Sequence, residues 1–86
     1  MATNIGGIIA GAKEIGSLNL AQQFAYNSDS LVEYAGEAAP GSTTASSVWR
    51  IKKLTYSGTN LSKIEFADGN TNFDNVWDNH ASLLYS

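Results

Sequence analysis

Eighty-six residues without a cysteine, with five Lys and Arg against eight Asp and Glu, make one small acidic domain at most. The composition excludes a disulfide framework and a Cys/His zinc site, and the net charge of −3 argues against a nucleic-acid binder, which would show a basic surplus interleaved with aromatics. A chain this short buries only about 60–65% of its unfolded surface, so association with copies of itself or with a larger assembly is the reinforcement left to it.

The opening MATNIGGIIAGAK has no basic leader region, and its apolar run from Ile5 to Ala12 is far short of the roughly 20 residues a membrane span requires. Neither a signal peptide nor a membrane segment is expected here. Ile5, Ile8, Ile9, Ala12 and Ile15 recur at helical spacing, but Gly6, Gly7, Gly11 and Gly16 each cost about 1 kcal/mol against Ala in a helix. Residues 1–20 therefore read as an irregular or partly helical arm that orders only against a partner. Residues 21–86 read as a small β domain.

In that domain LAQQFAYN and LVEYAGEA flank Ser28-Asp29-Ser30, whose side chains form turns readily, and a hairpin follows. Pro40-Gly41 stops it, and GSTTASS reads as a polar link without structure of its own. The next segment, SVWRIKKLTYSGTNLSKIEFADG, holds two strand-like runs around Ser57-Gly58-Thr59-Asn60, a four-residue hairpin loop. Placing Tyr56 opposite Leu61 sets Lys52 against Glu65 as a cross-strand ion pair and Ile51 against Phe66. Trp49, Ile51, Ile64 and Phe66 then share one face, and Leu54, Tyr56 and Leu61 the other. A β-bulge near Lys52-Lys53 would restore a single apolar face. Without it, either the arm or another subunit covers the second face, and the subunit is the favoured expectation. After Gly69, Asp74 is placed to N-cap a short helical turn carrying Val76, Trp77 and His80, before LLYS closes as a strand. The fold class expected is mostly β, a small antiparallel domain of hairpins.

Three constellations invite chemistry. Asp68, Asn70, Asn72 and Asp74 stand at alternate positions, as oxygen ligands of calcium do, but the sixth position of that loop is Phe73 instead of Gly and the twelfth is Asn79 instead of Glu. A tight turn closed by its own Asx side chains is the expectation, with no metal or other cofactor. His80 is the only histidine and sits in no local catalytic signature, so no enzymatic activity is expected. Trp49, Trp77 and the four tyrosines suit a sugar-stacking platform in type, but packing in a core or an interface is the commoner use of such residues.

The ordered set EYAGEAAPGS, ASSVWRIKKLTYSGTN and FADGNTNFDNVWDNHASLLYS resembles small domains encoded among the virion-protein genes of tailed bacteriophages. Such domains carry a Gly-x-Ala-x-Pro-Gly element, here Gly36, Ala38, Pro40 and Gly41, and a Trp-Arg-Ile strand, here Trp49, Arg50 and Ile51. They then carry Ala-Asp-Gly, here Ala67, Asp68 and Gly69, and Phe-Asp-Asn-x-Trp-Asp, here Phe73, Asp74, Asn75, Trp77 and Asp78, closed by Ser82, Leu83 and Tyr85. The likeness covers about residues 31–86, leaves the first 20 residues unmatched, and has His80 where the pattern has Arg. It implies a setting, the virion, more than an activity.

The expectation is a non-catalytic structural component of a tailed-phage virion, a capsid cement or decoration protein. Its partners would be the major capsid or a tail protein and further copies of itself as a homo-oligomer, with neither nucleic acid nor membrane. A tail-fibre or tail adaptor component is the nearest alternative. A small carbohydrate-binding module using Trp77, Tyr85 and the Asp/Asn loop comes from another class, as does a small hydrolase using His80. The candidate interface residues are Ile5, Ile8, Ile9, Trp49, Ile51, Tyr56, Leu61, Phe66, Trp77 and Tyr85.

Overall fold

The computed structural model describes residues 19–86. The arm expected over residues 1–20, with Ile5, Ile8 and Ile9, lies outside them apart from Asn19 and Leu20. The described chain is mostly β. It runs through strands β1 (Ala21–Tyr26), β2 (Val32–Ala38), β3 (Ser47–Ser57) and β4 (Asn60–Phe66), then a two-residue strand β5 (Asn75–Val76) and a 3-10 helix (Trp77–Ser82). The four longer strands form an antiparallel meander in the order β1-β2-β3-β4, and β5 pairs with the start of β3.

Local chemistry sets both hairpins. Asn27 Oδ1 accepts from the backbone N–H groups of Asp29 (2.9 Å) and Leu31 (3.1 Å), and Ser30 takes the left-handed conformation at φ 63° that lets β2 return on β1. In the second hairpin the strands continue through Ser57 and Asn60, so the loop is the two residues Gly58-Thr59 instead of the four expected. Gly58 at φ 65° supplies the positive φ that the first position of such a turn demands.

The expected register holds at Tyr56↔Leu61 and then slips by one. Thr55 pairs with Lys63, Leu54 with Ile64, Lys53 with Glu65 and Lys52 with Phe66. Ser62 is the extra residue of a bulge, and its Oγ donates to Thr55 O at 3.1 Å. The bulge thus sits beside the turn, not at Lys52-Lys53. Its effect is to turn Ile64 and Phe66 onto the same face as Leu54, Tyr56 and Leu61, away from Trp49 and Ile51. The Lys52–Glu65 pair does not form. Glu65 lies 3.5 Å from Lys63 on its own strand, and the cross-strand ion pair joins Arg50 to Glu37.

The core lies on one side of the sheet. Ala38, Trp49, Ile51, Ala67 and Trp77 form it, with Ala25, Tyr34, Leu83 and Tyr85 packed against it. Gly36 makes this possible: a Cβ there would stand 2.7 Å from Trp77 Cε3 and 3.3 Å from Trp49 Cε3, so the bare backbone admits both indoles. The segment 41–47 is ordered by this core, contrary to the unstructured link expected. Thr43 O accepts from Trp49 Nε1 at 2.9 Å, and Thr44 O accepts from Asp78 N at 3.1 Å.

The C-terminal segment covers the core side. No side chain caps the 3-10 helix, whose N-cap position is Val76, so Asp74 is not the cap. Asp74 Oδ1 instead accepts from Asn75 Nδ2 at 3.2 Å. The closing strand expected over LLYS reduces to one bridge, Tyr85 to Ala67, flanked by Phe66 N→Ser86 O at 3.0 Å and Asp68 N→Leu84 O at 2.8 Å.

Candidate functional site

The Asp/Asn loop is built as a turn. Asp68 and Gly69 adopt φ 59° and 70°, and Gly69 N donates to Phe66 O at 3.0 Å. Asn70 Oδ1 then accepts from Asn72 N at 2.9 Å, an Asx turn that engages one of the alternating oxygens in closing the loop. Asn75 is buried while Asp68, Asn70, Asn72 and Asp74 are exposed. Among the described residues, no three Asp, Glu or His side chains gather as a metal-binding group.

Around His80 the chain assembles an aromatic cluster. The imidazole stacks on Trp77 with centroids 4.4 Å apart and planes at 24°, and Tyr34 lies 4.8 Å from it at a tilt. Nδ1 lies 2.9 Å from Trp77 O, and Tyr85 donates its hydroxyl to His80 O at 2.7 Å. These contacts set the ring between Trp77 of its own helix and Tyr34 of β2, and among the described residues neither a serine nor a carboxylate hydrogen-bonds to it. Burial pushes the Tyr85 hydroxyl well above the ordinary tyrosine pKa, with smaller contributions from Tyr34 and Asp68. The arrangement is that of a packed lid on the core, with no nucleophile–base pair in it.

The interface candidates divide. Trp49 and Ile51, each 1% exposed, and Trp77, at 7%, belong to the chain's own core and present almost no side-chain surface to a partner. The same burial removes Trp77 as a sugar-stacking platform. Tyr85 is half-buried against that core. Tyr56, Leu61 and Phe66 share the opposite face, Tyr56 paired with Leu61 and Phe66 with Lys52, and Tyr56 donates its hydroxyl to Val32 O at 2.8 Å.

That outer face holds residues not singled out from the sequence. Phe24 and Tyr26 alternate outward along β1 while Ala21, Gln23 and Ala25 turn inward. Phe24, Tyr26, Leu61 and Ile64 are 49, 61, 48 and 45% exposed, and Leu54, Tyr56 and Phe66 lie half-buried among them. The Arg50–Glu37 ion pair crosses the same face, and the Arg50 guanidinium covers the Phe73 ring at 4.6 Å. At one end Leu20, Ala39, Ser42, Val48 and Phe73 line an open depression of about 430 Å³. The signal in the sequence was the inverted alternation of AQQFAY, small residues on one face and aromatics on the other; nothing local says which face goes inward. Comparison with family models, with curated protein sequences and with solved structures finds no match to this chain.

Proposed function

We propose that this chain is a non-catalytic structural component of a tailed-phage virion, a capsid cement or decoration protein, which docks on a particle protein through the outer face of its sheet. The observation that carries the reading is the cluster of Phe24, Tyr26, Leu61 and Ile64, about half exposed on one side of an 86-residue chain. These side chains stand on the two outer strands of one face, with half-buried Leu54, Tyr56 and Phe66 between, and exposed apolar surface of this kind marks an interaction site. The likeness of residues 31–86 to virion-encoded domains supplies the setting. Trp49, Trp77, Tyr34 and Tyr85 pack in or against the core and the Asp/Asn loop closes as a turn, which favours an assembly role over a lectin or a hydrolase. A tail-fibre or tail adaptor role would use the same face. Repeated copies around the shell make the chain part of a homo-oligomeric layer.

Counting the chain by mass spectrometry in purified particles tests the proposal. A fixed, high copy number per particle is expected. Absence from washed particles, or sugar-dependent quenching of tryptophan fluorescence in the free protein, would overturn it.

A further inference from the structure

The outer face is apolar at its margins and cationic at its centre. Phe24, Ala35, Lys52 and Phe66 are register partners in turn, one rank across all four strands. Lys52 is half-buried in that rank, with Arg50 and Leu54 two residues away on the same face of β3. Ala35 is the small residue of the rank, and there Ala35, Glu37, Arg50, Lys52 and Phe66 line a depression of about 160 Å³. We infer that this depression takes one carboxylate of the partner protein, an Asp or Glu side chain that accepts from Lys52 Nζ between apolar side chains packed on Phe24 and Phe66. This rests on the reading of the outer face as the docking surface and names what the partner must bring to it.

Charge carries the argument. The chain has a net charge of −3, yet among the paired residues of this face the charged ones are Glu37, Arg50 and Lys52, two cations against one anion. The other described cations are engaged. Arg50 pairs with Glu37 and covers the Phe73 ring, and Lys63 lies 3.5 Å from Glu65. Lys53, on the opposite face, stands over the Tyr34 ring at 5.9 Å. Lys52 joins no ion pair among the described residues. One added carboxylate brings the group to neutrality, and Arg50, which gives one of its N–H donors to Glu37, lines the same depression with donors to spare.

The same charge decides against other occupants. While the face is open, solvent satisfies the Lys52 ammonium. A surface that docks without an acceptor would bury that charge unpaired, which is costly. A purely apolar partner is therefore a poor fit. So is a second copy, because two copies meeting face to face about a two-fold axis through this centre would bring their Lys52 ammoniums together.

Two peptides test this on the full chain in solution, acetyl-Leu-Ala-Glu-Ala-Leu-amide and its counterpart with Gln in place of Glu. Extended, such a peptide sets its leucines about 13 Å apart, close to the about 14 Å of three strand spacings between β1 and β4, with the carboxylate near the middle. Amide shifts of the isotope-labelled protein are followed by NMR as each peptide is added at low salt. The Glu peptide should bind about twofold to fivefold more tightly than the Gln peptide, with the largest shifts at Ala35, Lys52 and Phe66. Lys52→Met, which keeps an unbranched stem and removes the charge, should abolish that preference, and Lys53→Met on the opposite face should keep it. Equal affinities for the parent chain, or binding of neither peptide at the outer face, would overturn the inference whether or not the variants fold. So would a preference that survives Lys52→Met in a folded variant, or outer-face shifts that grow with protein concentration before any peptide is added, because the occupant would then be a second copy. The count of chains in purified particles tests docking itself on different material, so the two readings fail separately.

Discussion

The two faces of one four-stranded sheet carry similar apolar content and opposite fates. On the inner face the strands contribute small residues, Ala25, Gly36 and Ala38, beside Trp49 and Ile51, and the space above them is filled by Trp77, Leu83 and Tyr85 from the C-terminal segment. On the outer face they contribute Phe24, Tyr26, Leu54, Leu61, Ile64 and Phe66, with no layer of the described residues above them. Hydrophobicity by itself did not choose the core. The return of the C-terminus did, because Trp77 fits against a face floored by glycine and alanine and would clash with one crowded by aromatics.

This contrast can be broken by substitution. Trp49→Ala removes the largest fully buried side chain and should cost about 3–5 kcal/mol, whereas Ile64→Ala, 45% exposed on the outer face, should cost about 1 kcal/mol. Urea unfolding of both variants measures the gap, and equal losses would mean that the two faces are buried alike. Gly36→Ala sharpens the same point from the other direction. Its added methyl, 2.7 Å from the Trp77 ring, must displace the indole, at a cost of about 1–3 kcal/mol by overpacking. A shift in tryptophan emission should accompany the loss, and unchanged emission at full stability would show that the inner face has slack.

The smallest effect appears only in alkali. The Tyr85 hydroxyl is held protonated by the fold, so the unfolded chain releases that proton at a lower pH than the native one. The stabilisation is complete below the ordinary tyrosine pKa of about 10 and is lost as pH rises above it. Tyr85→Phe, which also removes the bond to His80 O, should melt slightly lower near neutrality but lose less of its Tm above pH 10 than the parent does. Parallel Tm–pH curves for the two proteins would count against this assignment.

Much of the architecture is written in short-range chemistry. Asn27 and Ser28-Asp29-Ser30 announce the first turn, Gly58 the second, and Tyr56↔Leu61 follows from the loop. The Asp68 turn is equally local. What escapes a reading of neighbours is the extra residue at Ser62, since Leu61-Ser62-Lys63 carries no glycine to mark it, and one inserted residue sends Ile64 and Phe66 to the other face. The same limit applies to the site. Trp49 and Trp77 look like interface residues by type, and only the long-range approach of the C-terminal segment to Gly36 makes them core. Phe24 and Tyr26 look unremarkable in a hairpin until their inward neighbours prove to be the alanines.

The bulge at Ser62 has a second effect, on how strands of different molecules meet. β1 and β4 are the outer strands of the sheet; β4 pairs with Ser86 at its Phe66 end, and the rest of its edge, like that of β1, has no strand partner among the described residues. A flat, apolar edge of that kind templates the addition of further strands and so fibrous growth. Here both outer pairings are interrupted, at Glu33 opposite β1 and at Ser62 within β4, and exposed Lys63 follows the second interruption. A kinked edge carrying a lysine is a poor template. The protein can therefore present an apolar face for docking while discouraging the strand-by-strand stacking that so much exposed β surface would otherwise invite.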